Sequence, residues 1–238
     1  MPVQLPDRVR AWLPTQCAVC RGWGGSRVCG DCVQRHAPPA LRCAACAIAV
    51  PAGTTVCGTC LRTPPPYARS VAAVDYGFPW SGLVSAFKFH AALDLAPALA
   101  GLLSAAVLAG RDLPRPALVL PVPLSRARLA ERGMNQAWEL ARRVAATLAI
   151  DATPHLLRRL IDTAHLADLP RAQRATRIRG AFGIAPGQAG RLRGRRVALV
   201  DDVMTTGATV AEAARVLLAA GASDVDVWVL ARTPAPEA

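Results

Sequence analysis

Two groups of residues in this chain have types and spacings that could do chemistry. The first is Asp201-Asp202-Val203-Met204-Thr205-Thr206-Gly207-Ala208-Thr209, preceded by the apolar run Val197 to Val200. That run has the length and branching of a buried strand, and it ends in two adjacent carboxylates. A loop of hydroxyls around one glycine follows, and then an alanine-rich helical pattern to Ala220. A helix start there would offer unpaired N–H groups and a positive dipole end to a phosphate, beginning near Ala208. The hydroxyls of Thr205, Thr206 and Thr209 would add hydrogen bonds, and Gly207 would let the backbone come close. Asp201 and Asp202 sit too near such an anion to be meant for it. They fit ribose hydroxyls, or a divalent ion held with them. The plainer alternative is an ordinary strand–helix unit with a Thr-rich turn. A buried strand has little other reason to end in two like charges followed by a hydroxyl–glycine loop.

The second group is eight cysteines in four Cys-x-x-Cys pairs: Cys17/Cys20, Cys29/Cys32, Cys43/Cys46 and Cys57/Cys60. Each pair presents two thiolates from one tight knuckle, and two knuckles complete a tetrahedral S₄ set, so the eight suit about two structural Zn²⁺ ions. Sequential pairing, the first four on one ion and the last four on the other, is the simpler arrangement. A cross-braced one, first pair with third and second with fourth, is the alternative. A disulfide framework would need an oxidising compartment. Met1 to Gln16 contains Pro2, Pro6 and Pro14 and no apolar core, so no secretory signal is read there. The expectation is a cytoplasmic protein without a membrane span. The most hydrophobic window, Leu93 to Ala109, contains Asp94 and Pro97 and reads as a buried helix.

The elements that must position these groups follow from composition. With 238 residues there is room for a small module and one medium domain. Between the knuckles the chain is too rich in Gly and Pro to build a core, so metal would supply most of that module's folding free energy. Thr63-Pro64-Pro65-Pro66 breaks regular structure and places a boundary: residues 1–66 as a double zinc-knuckle module, 67–238 as the second domain. Beyond it, Val71 to Tyr76 reads as a strand and Trp80 to Phe89 as a helix. Leu118 to Val122 is a further strand, followed by a basic segment and a helix to about Leu148. The last strand runs over Val225 to Leu230, with Trp228 at an edge. Strands alternating with helices predict an α/β fold with a mostly parallel, Rossmann-like sheet.

The formal charge of +12 suits a polyanionic partner. Nearly all the positive charge is arginine, and Lys88 is the only lysine. Lys88, in Phe87-Lys88-Phe89-His90, is a candidate anion contact; His90 reads as a helix-end residue. Arg126, Arg128 and Arg132 crowd seven positions, which a solvated helix start does not require and a nucleic-acid contact does. In the cysteine module, Trp23 could stack on a base beside Arg21, Arg27, Arg35 and Arg42, or cover a metal site.

The 197–209 stretch resembles the phosphoribosyl pyrophosphate motif of type I phosphoribosyltransferases. Pro121-Val122-Pro123-Leu124-Ser125 and Arg132-Gly133-Met134-Asn135-Gln136-Ala137 narrow the resemblance to the ComF family, competence-associated proteins with a cysteine-rich zinc module ahead of a phosphoribosyltransferase-like domain. The knuckles, Phe87 to His90 and the 201–209 motif fall in the family's order, so the resemblance covers nearly the whole chain. It implies that Val122, Pro123, Leu124 and Ser125 form the pyrophosphate loop and that Mg²⁺ accompanies phosphoribosyl pyrophosphate. It implies that Ala164 to Phe182, with Arg171, Arg174, Arg177 and Arg179, matches the mobile loop over the site. Related chains carry a glutamine early in this loop and an asparagine before Gly-Ala-Phe; here the counterparts are around Ala164 and at Arg177. Single-stranded DNA and a helicase-type competence partner are likewise implied by the resemblance alone.

Three functions from different classes fit these features. The first is a DNA-uptake factor of natural transformation that keeps a phosphoribosyl pyrophosphate site. The second is a transferase of nucleobase salvage, and the third a regulator that senses phosphoribosyl pyrophosphate. Charge, knuckles and arginine clusters favour the first over the second. Residues that would select a nucleobase are not legible, so binding of the sugar phosphate is the firmer expectation and no catalytic residue is assigned.

Overall fold

The computed structural model describes residues 14–110, 114–161 and 178–235. The cysteine-rich segment comes first. It holds a two-stranded antiparallel ribbon, β1 (Thr15–Gln16) and β2 (Trp23–Gly24), and two short helices, α1 (Gly30–His36) and α2 (Gly58–Arg62). Both helices start directly after a cysteine, Cys29 and Cys57, held in extended backbone.

The rest is organised by a four-stranded parallel sheet of β3 (Arg69–Asp75), β4 (Leu118–Pro121), β7 (Arg196–Met204) and β8 (Asp224–Arg232), in the order β3-β8-β7-β4. Helices α3 (Trp80–Phe89), α4 (Ala96–Ala109), α5 (Arg126–Arg132), α6 (Gln136–Leu148) and α7 (Ala208–Ala219) connect and cover it. A separate antiparallel pair joins β5 (Leu157–Arg159) to β6 (Phe182–Ile184). The basic stretch that the sequence presents as one segment is two helices, because Gly133 takes the left-handed conformation at φ 71° and ends α5. Asn135 then caps α6, its Oδ1 accepting from the Ala137 and Trp138 amides at 3.0 and 3.4 Å.

Successive side chains on a strand point to opposite faces, and here the two faces fill separate cores. Val119, Ala198, Val200, Trp228 and Leu230 pack with α3, α4 and α6. Leu118, Leu120, Val197, Leu199, Val225, Val227 and Val229 pack with α7 and the β5–β6 pair. The cysteine segment contributes to both: Cys17, Val28 and Cys32 join the first core, and Ala47 the second. Two further bonds dock it. Trp80 Nε1 donates to the His36 carbonyl at 2.7 Å, and Ser70 Oγ to the Ala45 carbonyl at 2.8 Å. At the amino ends of the strands, the fully buried Asp226 accepts from Arg69 at 2.7 Å and Arg196 at 3.0 Å, which pins β3, β7 and β8 together.

Two expectations are corrected. Trp228 is not at a sheet edge: β8 lies between β3 and β7, and the indole is 1% exposed. Periodicity marks a strand's faces but not its neighbours, so a buried central position and an edge look alike in sequence. The motif strand also does not end at the acid pair. It runs on to Met204, because pairing with β8 continues through Asp201↔Val229 and Met204↔Arg232. Among the described residues no helix is long and apolar enough to cross a membrane.

Candidate ligand site and cysteine clusters

The carboxyl ends of β4 and β7 meet where parallel α/β sheets bind ligands. The Val122 amide donates to the Val200 carbonyl at 2.8 Å, which sets the 122–125 loop beside the 201–209 loop. Ser125 is buried and caps α5, its Oγ accepting from the Arg128 amide at 3.3 Å. Pro121, Val122 and Pro123 are buried, so this loop is a fixed shelf.

After β7 the chain turns over exposed Thr205 and Thr206 to Gly207, which has φ 81° and precedes α7. Thr206 Oγ1 accepts from the Ala208 amide at 3.2 Å. Ala208 and Thr209 open α7, so the amides of its first turn and the loop hydroxyls gather at one end of a twelve-residue helix.

The acid pair sits just behind. Asp202 is buried and its Oδ1 lies 2.9 Å from Lys88 Nζ. Asp201 Oδ1 accepts from the Asp202 amide at 2.9 Å. Burial and the charge of Asp202 push the Asp201 carboxyl up to about 7, against the pull of Lys88, the Asp202 amide and Arg159.

Lys88 is held from the opposite side. Gln136, 1% exposed, donates through Nε2 to the Lys88 carbonyl at 3.4 Å and accepts from Arg132 Nη1 at 3.2 Å. Arg132 stacks over the Phe89 ring at 4.8 Å, and Asn135 Nδ2 donates to the Val122 carbonyl at 3.1 Å. The three separated motifs, 87–90, 122–136 and 201–209, therefore interlock at one place. Arg132 braces this junction, whereas Arg126 is exposed and Arg128 half-buried on α5. Of the expected mobile loop, Arg171, Arg174 and Arg177 lie outside the described residues. Its far end is anchored: the Gly180 amide donates to Glu212 Oε1 of α7 at 2.8 Å.

The cysteines form two groups, Cys17/Cys20/Cys29/Cys32 and Cys43/Cys46/Cys57/Cys60. This is the sequential pairing, and it sets aside the cross-braced one. All ligand sulfurs of a group lie within 4.8 Å of one another, and the eight thiols are free. A Zn–S bond of about 2.3 Å implies tetrahedral edges of about 3.8 Å. Cys17–Cys32 at 3.9 Å, Cys20–Cys29 at 3.7 Å and Cys46–Cys57 at 3.7 Å match that edge. Amides point at sulfur in both groups, Cys29 N to Cys17 Sγ at 3.4 Å and Cys57 N to Cys43 Sγ at 3.2 Å. Burial raises Cys17, but backbone donors outweigh it and hold the thiol at about 6. Cys43 likewise falls to about 7, while burial and neighbouring sulfur push Cys32 to about 12 and Cys60 higher. Four sulfurs at tetrahedral spacing in each group, with amides pointed at them, are the donor chemistry of a structural zinc site. Trp23 stands 74% exposed.

Three features escaped the sequence reading. Arg232, 5% exposed at the end of β8, donates to the Cys46 carbonyl at 2.8 Å, to Met204 O at 3.0 Å and to Thr205 O. Its signal was a positive charge closing the apolar run Val227 to Ala231. Tyr67, buried, reaches Met204 Sδ at 3.9 Å under Gly207. A cavity of about 570 Å³ opens beside the 122–125 loop, lined in part by Pro123, Leu124, Trp138, His155 and Arg158; nothing in local spacing joins those positions.

The phosphoribosyl transferase domain family matches residues 134–238. The DNA utilization protein YhgH of Salmonella typhi is 35% identical over 232 residues, covering 93% of this chain and 98% of that protein. The counterpart in Escherichia coli strain K12 is 34% identical over 230 residues, covering 93% and 98%. Competence protein F of Haemophilus influenzae is 35% identical over 157 residues, 65% of this chain and 68% of that one. Among solved structures, purine phosphoribosyltransferase from Pyrococcus horikoshii aligns at 18% identity over 56% of this chain and 70% of its own, with a TM-score of 0.34.

Proposed function

Since this chain belongs to the family of the DNA utilization protein YhgH and competence protein F, we propose that it is a cytoplasmic competence-related protein that handles single-stranded DNA and binds phosphoribosyl pyrophosphate. The observation that carries the second part is the junction of β4 and β7. There, the buried 122–125 shelf, the Thr205–Thr209 loop on the start of α7 and the acid pair lie together at the ends of neighbouring strands, and we read the space between them as the ligand crevice.

In this reading the first-turn amides of α7 with Thr205, Thr206 and Thr209 take the 5-phosphate, and Gly207 allows the close approach. Asp201 and Asp202 accept from the ribose hydroxyls. Val122 to Ser125 lie along the diphosphate, and Lys88 adds a cation within reach of the same crevice. Mg²⁺ would enter with the diphosphate and neutralise it, with the carboxylates of the acid pair as the nearby oxygen donors. The two cysteine groups would hold Zn²⁺ and fix the amino-terminal segment.

Isothermal titration of phosphoribosyl pyrophosphate with Mg²⁺ tests the site. Binding by the wild type and its loss in the Asp201→Ala/Asp202→Ala double variant are expected; equal affinity of the two would refute the assignment. The second reading is turnover, favoured by the complete Thr-Thr-Gly-Ala-Thr loop. Release of pyrophosphate with one member of a nucleobase panel would establish it.

A further inference from the structure

We propose that the cavity beside the 122–125 loop is a binding groove for single-stranded nucleic acid, with Trp138 as the stacking surface and Arg126 and Arg158 as phosphate contacts. The inference rests on the DNA-handling role proposed above and assigns it a place on the molecule.

The shape comes first. The cavity, of about 570 Å³, lies between the start of α5 and α6 on one side and the 154–159 segment on the other. That volume admits a base with its sugar, and the pocket is a cleft open to solvent. Its floor is apolar, formed by Leu124, Leu157 and the half-buried Trp138 ring. Its rims carry Arg126 on α5 and His155 and Arg158 on the facing segment, all exposed. An apolar aromatic floor between basic walls is what a strand with splayed bases requires: stacking tolerates any base, while the walls follow the backbone.

The charges are also available. Several other arginines are held by carboxylates: Arg142 and Arg143 by Glu139, Arg215 by Glu212, Arg69 and Arg196 by Asp226. Arg126 and Arg158 have no carboxylate partner among the described residues. Arg159, on the same wall, leans on the Phe182 ring at 5.3 Å, and Pro123 and Leu124 of the 122–125 loop line the same cavity. The cysteine segment also offers exposed Arg21, Arg35 and Trp23. The cavity gathers an aromatic ring and basic side chains around one concave surface, and that is the better fit to a strand.

The test is fluorescence anisotropy of a short labelled deoxythymidine oligonucleotide with the full-length protein, across a salt series. Trp138→Leu keeps an apolar side chain on α6 but removes the stacking face, and Arg158→Ala changes an exposed residue. Each should weaken binding about 10-fold, and Arg158→Ala should lower the slope of log K against log salt by about 0.7. Circular dichroism and metal content matching the wild type confirm that both variants are folded. If both variants bind as the wild type does while Trp23→Ala or Arg35→Ala loses binding, the strand lies on the cysteine segment and the groove assignment is wrong. If the wild type itself binds no oligonucleotide, the DNA-handling role fails together with the groove.

Discussion

Arg232 and Cys46, 186 positions apart, are joined by a hydrogen bond of 2.8 Å from the guanidinium Nε to the Cys46 carbonyl. The same side chain donates through Nη1 to Met204 O at 3.0 Å, to Thr205 O and to Thr233 O at 2.8 Å. One buried fork thus fastens the second cysteine group to the loop proposed to hold the sugar phosphate. A planar, permanently charged donor set can reach four carbonyls from one side chain.

Replacing it should be felt in both places. Arg232→Ala strands several buried carbonyls, and a loss of about 3 kcal/mol is expected in denaturant unfolding. Phosphoribosyl pyrophosphate affinity should fall about 10-fold with the 205–207 loop released. Arg232→Lys, which keeps the charge but not the fork, should fall between the two; full stability in either variant would show that the tie is idle.

The cysteine groups predict about two zinc ions per chain, measured by elemental analysis. Chelation should lower the thermal midpoint and release the ribbon of Thr15–Gln16 with Trp23–Gly24, because little apolar core replaces the metal there. Metal-free protein with titratable disulfides and an unchanged melting curve would contradict this.

Asp201 predicts an inverted pH response. Its folded value, about 7, lies above the ordinary 3.8, so between them the folded protein keeps a proton that the unfolded chain releases. The stability linked to Asp201 is present below that window and is lost as pH rises through about 7. Asp201→Asn should therefore lose less stability than the wild type between about pH 5 and about pH 8. Lys88→Met removes a charge that favours ionised Asp201, so the midpoint should move upward. It should also cost about 2 kcal/mol by leaving Asp202 unpaired, less than for a fully buried pair because solvent reaches Lys88. A midpoint that stays put would separate Lys88 from the acid pair.

Two glycines should respond in opposite senses. At Gly207, φ is 81°, and an added Cβ would meet Tyr67 Oη at 3.6 Å and Met204 Sδ at 3.7 Å, which are ordinary contacts. The cost of Gly207→Ala is thus backbone strain, about 1–2 kcal/mol, with weaker phosphate binding as the start of α7 shifts. Gly101, inside α4 with nothing within 4 Å of a Cβ, should be stabilised by about 0.5–1 kcal/mol on change to Ala. Thermal melts of both variants read the contrast directly.

What the sequence determined by itself is everything carried by contiguous residues. The Cys-x-x-Cys knuckles, the Thr-Thr-Gly-Ala-Thr loop behind an apolar run, and the Pro-rich break each have a local cause in spacing, φ preference or ligand chemistry. Trp80 to Phe89 is a helix over the expected residues for the same reason. Tertiary structure decided which of these meet. That Trp228 is central follows from strand order, and that Lys88 faces Asp202 follows from how α3 packs on the sheet. That Arg232 reaches Cys46, or that Trp138 and Arg158 line one cavity, follows from packing across the sheet. Such contacts depend on which distant side chains fill the same volume. Periodicity along the chain fixes the face a residue presents, but the partner on that face is chosen only when both cores close.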